Sequence, residues 1–238
     1  GEGSDIEVAK MYRGLIRSIE RKCHADLAYD TAVENAVSNG FGYWRITIEF
    51  EPKSFNQRIV VKRVRNPFTV YLDPLHQDPE GEDARYGFVT ELIPRKEFEQ
   101  EWPAADPMPW TEGGFGEDYK YWVTEDEIRI AEMFEVKLEK RKLVQLSNGH
   151  VGWEDELSED TKGRYPVTQE RLSDFKKVCW YKLTAVDVLM EREWPGTSIP
   201  IVKVVGNEID IEGKPRFSGL IRNMKSPQMM YNYHRAIC

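Results

Sequence analysis

The sequence predicts an α+β protein: a long N-terminal helix, an antiparallel strand-rich body and a C-terminal helix. Three observations carry that prediction. Apolar residues recur at helical spacing from Asp5 to about Ser38. From Trp44 the period drops to two, and short alternating segments separated by turn residues follow. Helical patterning dominates again only after Gly219. Helix, many strands, then helix is an order unlike the βαβ alternation that builds parallel sheets.

Taken in order, Tyr12, Leu15, Ile16, Ile19 and Cys23 set the first helical stripe, and Ala25, Ala28, Ala32, Val33, Ala36 and Val37 continue it. The stripe shifts after Glu20-Arg21-Lys22, which places a kink or break near Cys23–Asp26. Ser4 and Glu7 have capping-box spacing at the start, and Asn39-Gly40 supplies a left-handed stop. Trp44, Ile46, Ile48 and Phe50 alternate with polar residues as a half-buried strand, and Arg58–Val64 returns after a turn at Pro52–Asn56. Strands at Thr69–Leu72 and Tyr86–Leu92 flank the loop Asp73–Arg85, and a short helix follows at Pro94–Trp102. Ala104–Tyr119 holds three Pro-or-Gly clusters and reads as a mobile surface loop. Glu127–Leu138 and Lys142–Leu146 are expected to form a hairpin closed at Asn148-Gly149, with Val151–Trp153 beyond. A helix is expected near Thr168–Phe175, then strands at Val178–Thr184, Val186–Met190 and Ile199–Val205. A hairpin around Asn207–Gly213 precedes the last helix, Gly219–Cys238, in which Ser226-Pro227 has the order of a helix start or restart.

The 238 residues carry 33 Lys+Arg against 41 Asp+Glu, for a net charge of −8. A chain of this length buries roughly 70–75 % of its unfolded surface. Its 7 Trp, 11 Tyr and 10 Phe exclude a disordered chain. The acidic balance argues against a general nucleic-acid coat, which needs clustered Lys and Arg. No apolar run approaches the ~20 residues of a membrane-spanning helix. Cys23, Cys179 and Cys238 lie far apart and read as reduced thiols of a cytosolic setting. The chain opens Gly-Glu-Gly-Ser without Met and closes inside a helical pattern, so it reads as an excerpt whose residues 1–4 are a tag remnant.

Catalytic signatures are missing from the sequence. It has no G-x-S-x-G elbow, no phosphate-loop lysine and no H-E-x-x-H helix, and His24, His76, His150 and His234 share no ligand spacing. No catalytic, cofactor-binding or metal-binding residue and no cofactor is expected. Adjacent on a helix, Cys23 and His24 point apart, unlike a dyad. Asp73, Asp78, Glu80 and Asp83 have the wrong spacing for a calcium loop and sit among turn-forming prolines. Gly113-Gly114-Phe115-Gly116 follows no strand and reads as a flexible loop. Glu154, Asp155, Glu156, Glu159 and Asp160 read as a hydrated acidic run.

One asymmetry remains. From Gly213 to Cys238 there is no Asp or Glu, while Lys214, Arg216, Arg222, Lys225 and Arg235 give +5 and leave −13 on the rest. Cations suit a helix C-terminus, but Arg222 and Lys225 stand near the helix start, where the dipole opposes them. That pattern fits a surface facing phosphate or an acidic neighbour.

Several blocks carry a family resemblance. They are Ala28-Tyr29-Asp30-Thr31-Ala32 through Gly40-Phe41-Gly42-Tyr43-Trp44-Arg45, Asn66–Pro74, Asp83-Ala84-Arg85-Tyr86 and Phe88-Val89-Thr90-Glu91. Lys177–Tyr181, Glu193-Trp194-Pro195-Gly196 with Ile199-Pro200-Ile201, and Gly219-Leu220-Ile221-Arg222 through Pro227-Gln228 to Tyr231-Asn232-Tyr233 complete them. In this order they resemble the portal proteins, or head-to-tail connectors, of short-tailed bacteriophages. The likeness thins over Ala104–Asp126 and Val151–Pro166.

The resemblance implies a non-enzymatic structural subunit of a dodecameric ring at one capsid vertex. Such a ring is the channel for DNA packaging and ejection and the platform for terminase and tail attachment. Its partners would be its own copies, terminase, tail adaptor, scaffolding and capsid proteins, and DNA passing without sequence specificity, with no membrane. The setting would be the virion, assembled in the host cytoplasm. Residues 5–217 would be a wing-like domain and 218–238 the beginning of the stem helix, the remaining family regions lying outside this chain. Arg222, Lys225 and Arg235 are then the candidate channel- or subunit-facing residues. Two other classes are weighed beside it: a metal-dependent hydrolase using the Asp73–Asp83 carboxylates, and a sugar- or peptide-binding module using exposed Trp102, Trp110 and Trp122.

Overall fold

The computed structural model describes residues 2–105, 121–124 and 126–237. In chain order its elements are helices α1 (Glu2–Cys23) and α2 (Ala25–Asn39), then strands β1 (Phe41–Phe50) and β2 (Gln57–Arg63). A 3-10 turn at Pro67–Thr69 leads to β3 (Val70–Leu72) and β4 (Tyr86–Pro94), then α3 (Arg95–Glu101). Next come β5 (Glu127–Leu146), β6 (Val151–Trp153), α4 (Glu159–Arg164), β7 (Val167–Leu183) and β8 (Val188–Trp194). The chain ends with β9 (Ile201–Val205), β10 (Asn207–Ile211), β11 (Lys214–Ser218) and α5 (Leu220–Ile237). The class is α+β, with antiparallel pairing and helices at both ends.

The chain divides into two compact units, residues 1–91 with 199–238, and residues 92–198. That boundary is one the sequence reading, which takes 5–217 as a single body, does not draw.

The first unit is built on the three-stranded sheet β2-β1-β9. Trp44 faces Arg63 on one side and Val202 on the other. The expected helix break falls at His24, which adopts the left-handed conformation at φ 52. Beyond it α2 buries Ala25, Ala28, Ala32 and Ala36, one stripe of small side chains that lets the helix lie close on the sheet. Closeness reaches the backbone at Gly42, where a Cβ would overlap the Ala32 carbonyl oxygen. Tyr29 meets Trp44 edge-on at 5.1 Å, and the Val61 amide donates to the Cys23 sulfur at 3.5 Å. Gly40 ends α2 at φ 99, as the Asn39-Gly40 pair predicts.

In the second unit β5 and β7 pair from Ala131↔Leu183 to Leu146↔Val167, β8 continues the sheet beyond β7, and β6 pairs with β5. Its core joins Phe98, Val123, Ile128 and Ile130. Phe98 supplies the buried residue of α3.

Six local expectations are corrected. Glu127–Leu138 and Lys142–Leu146 are not the two arms of a hairpin but one strand, β5, because β7 gives it a partner on both sides of residues 139–141. Val33 and Val37 stay exposed, off the alanine stripe on which α2 meets the sheet. Thr168–Phe175 is strand within β7, because Glu139–Gln145 of β5 offer it a ladder that outweighs local preference. The acidic run ends in a helix, not a loop: Ser158 caps α4, accepting from the Thr161 amide, and Glu159 and Asp160 open its first turn. α5 passes through Ser226-Pro227 without restarting; losing the Pro227 N–H is tolerated where the whole turn is exposed to water. α1 begins before Ser4, so Ser4 is not its cap. The Ala104–Tyr119 loop falls almost wholly outside the described residues.

Candidate assembly surface

The foot of α5 is fixed where Gly219 meets the end of α2. A Cβ there would overlap the Val37 carbonyl oxygen, so only glycine lets the chain turn into the helix at this point. Beside the foot lies an open groove of about 480 Å³, lined by Val33, Val37, Val204, Leu220 and Asn223 among others. Past the foot, every described residue of α5 is exposed.

That exposure includes residues that normally pay for themselves by burial. Leu220, Ile221, Met224, Met229, Met230 and Ile237 are 58–65 % exposed, and Tyr231 and Tyr233 are similar. A helix apolar around much of its girth is usually covered on most sides. α1 shows the same property, with Ile6, Met11, Tyr12, Leu15 and Ile16 all more than half exposed. Each of the two helices thus carries more exposed large apolar side chains than isolated surface positions would give.

The three candidate cations all stand on α5 and are all exposed. At about 100° and 1.5 Å per residue, Arg222 and Lys225 share one side of the helix. Arg235 lies about 20 Å further along and about 140° round from Arg222. It donates to the Tyr231 hydroxyl at 3.2 Å and leans over that ring. The structure thus groups Arg222 with Lys225 and separates Arg235 from them.

The described residues of the two rival sites are held in other contacts. Asp73 is 1 % exposed, and its carboxylate accepts from Arg85 Nε at 2.7 Å and from the Leu75 amide at 3.0 Å. The guanidinium bond chiefly, with the backbone donors, lowers its pKa to about 2. Asp83 accepts from the Gln77 and Asp78 amides, which hold its carboxyl below the ordinary range. These carboxylates close a loop and do not converge on a shared point; among the described residues no three His, Cys, Asp or Glu side chains form a metal-ligand group. Trp102 and Trp122 are packed against the Phe98 core, Trp102 with Lys182 over its ring at 4.4 Å. They form no exposed platform, and Trp110 and Gly113–Gly116 lie outside the described residues. Glu154 pairs with Lys142, and Asp155 and Glu156 share Arg141, so three of the five carboxylates of the acidic run have a cationic partner.

Sequence reasoning missed the apolar exposure of α1 and α5, because apolar residues at helical spacing read first as core. It also missed Gly219 and Gly42 as close-approach positions. For Gly42 the signal was present in a glycine that follows closely on the alanine stripe. Among the described residues no helix is long and apolar enough to cross a membrane.

Comparison with known proteins agrees with the blocks quoted above. A portal protein of Acyrthosiphon pisum secondary endosymbiont phage 1 is 25 % identical over 94 % of this chain. The chain spans about a third of that relative's length (33 %). The profile of the family described as Phage P22-like portal protein matches residues 1–237. With a match over nearly its whole length, the chain belongs to the phage P22-like portal protein family.

Proposed function

We propose that this chain is the wing and the beginning of the stem of a portal subunit. Twelve subunits would close a ring at one capsid vertex, through which DNA is packaged and ejected and on which terminase, tail adaptor and scaffolding proteins dock. The protein would reside in the virion after assembly in the host cytoplasm. Its role is structural; the work of DNA translocation belongs to the partner motor, and no bound cofactor is part of the reading.

The observation that carries this is α5. A rigidly footed helix, apolar on many sides and free of acidic residues, is unsuited to a subunit that stays alone in water. In a cyclic ring each subunit presents two different faces to its neighbours, so unpartnered surfaces on separate helices are what heterologous contacts use. Arg222 and Lys225, on one side of α5, are assigned to a neighbour's acidic surface or to the channel; Arg235 is assigned to a second face. DNA contact is electrostatic and weak, because a channel that held its cargo tightly could not pass it.

Charge reversal tests the assignment. In the full-length subunit, Arg222→Glu with Lys225→Glu and Arg235→Glu should abolish closed rings or DNA packaging. Unchanged rings and unchanged packaging in that triple variant would remove the three cations from the interface and the channel.

A further inference from the structure

The loop between β3 and β4 is tied down by a buried lysine that, among the described residues, has no carboxylate in hydrogen-bond contact. Lys203, in β9, is 5 % exposed. Its ammonium lies 3.1 Å from His76 Nε2 and 3.7 Å from the centre of the Phe217 ring. Its backbone amide donates to the Glu80 carbonyl at 3.3 Å, so the same residue anchors the loop twice. Burial lowers the Lys203 pKa, against the pull of Glu208 from β10.

The tautomer of His76 follows from its other nitrogen. Nδ1 lies 2.6 Å from the Asp73 carbonyl oxygen, which can only accept. Nδ1 therefore carries the proton, and Nε2 is left as a bare acceptor for the Lys203 ammonium. Two carboxylates of the loop are already engaged. Asp73 is held by Arg85, and Asp83, the carboxylate acting on His76, is committed to the Gln77 and Asp78 amides.

We propose that residues 73–85 form a proton-operated latch, in which neutral His76 binds the loop to Lys203 and protonation of its Nε2 releases it. One proton taken from solvent uses the Nε2 lone pair, breaks the N–H···N hydrogen bond and sets an imidazolium against an ammonium. Asp83 offsets part of that repulsion from further away, but it cannot restore the lost acceptor. Phe217 stands three positions before α5, so Lys203 links the loop to the strand that leads into the exposed helix.

Hydrogen exchange of the 238-residue chain, corrected for intrinsic rates, reads the latch at about pH 7.5 and about pH 5.5. Protection across 73–85 should fall about tenfold or more at the lower pH, while β5 holds its protection. His76→Gln can still offer an oxygen to Lys203 but cannot titrate, so its loop should show no such fall. Lys203→Met removes the opposing cation and should flatten the response as well. A wild-type loop indifferent to pH, or a His76→Gln loop that responds fully, overturns the proposal. Nitrogen NMR of the wild-type imidazole gives a check that needs no variant. The Nδ1–H form is expected at the higher pH, and an Nε2–H form would contradict the latch.

Discussion

α2 and α5 belong to the same unit and differ in what they bury, although α2 too leaves Leu27, Val33 and Val37 exposed. α2 buries four alanines and brings its carbonyls onto a glycine-lined sheet. α5 carries leucine, isoleucine, methionine and tyrosine and buries none of them. Small residues at close approach mark contacts the chain completes by itself. Large residues left in water mark contacts that something else completes, since each fully buried side chain of this size gains about 1.5–3 kcal/mol. Hydrophobic content alone cannot tell the two cases apart; side-chain size beside backbone glycine can.

The largest effect should come from breaking the self-completed side. Gly42→Ala drives a methyl into the Ala32 carbonyl, and should cost about 3 kcal/mol in urea unfolding of this chain. A loss below 1 kcal/mol would mean that α2 is not closely seated.

Next in size is Asp73→Asn, which keeps the shape but removes the buried charge bound to Arg85. About 1–3 kcal/mol should be lost at neutral pH. The pH dependence has a defined sign. With its folded pKa lowered to about 2, the carboxylate's contribution is complete above about pH 4 and fades as the pH falls toward 2. Urea midpoints of wild type should therefore converge on those of the variant across that window; a constant gap would contradict the pairing.

The smallest effect should fall on α5. Met229→Ser with Met230→Ser should change the stability of the isolated chain by no more than about 0.5 kcal/mol. The same pair should impair ring formation of the full-length subunit. A stability loss of about 2 kcal/mol in the isolated chain would show instead that α5 is covered from within.

Much of this comparison can be read in the residues. The alternation Trp44-Ile46-Ile48-Phe50, the stop at Asn39-Gly40 and the hairpin preceding α5 depend on local chemistry and match the structure. Thr168–Phe175 does not, because its strand state is dictated by β5, which lies more than twenty residues away in sequence. For the candidate surface, the acid-free stretch from Gly213 was visible as charge, whereas its apolar exposure is a property of what packs nearby. Lys203 is intermediate: in Ile201-Val202-Lys203 the period of two puts it on the buried side with Ile201. What cannot be inferred from that alternation is that an imidazole, and not a carboxylate, receives it.

The central claim is that the uncovered helices belong to a ring. Negative-stain imaging of the full-length subunit tests it most directly. Closed rings with a central hole are the predicted result; a subunit that remains monomeric at high concentration would contradict it.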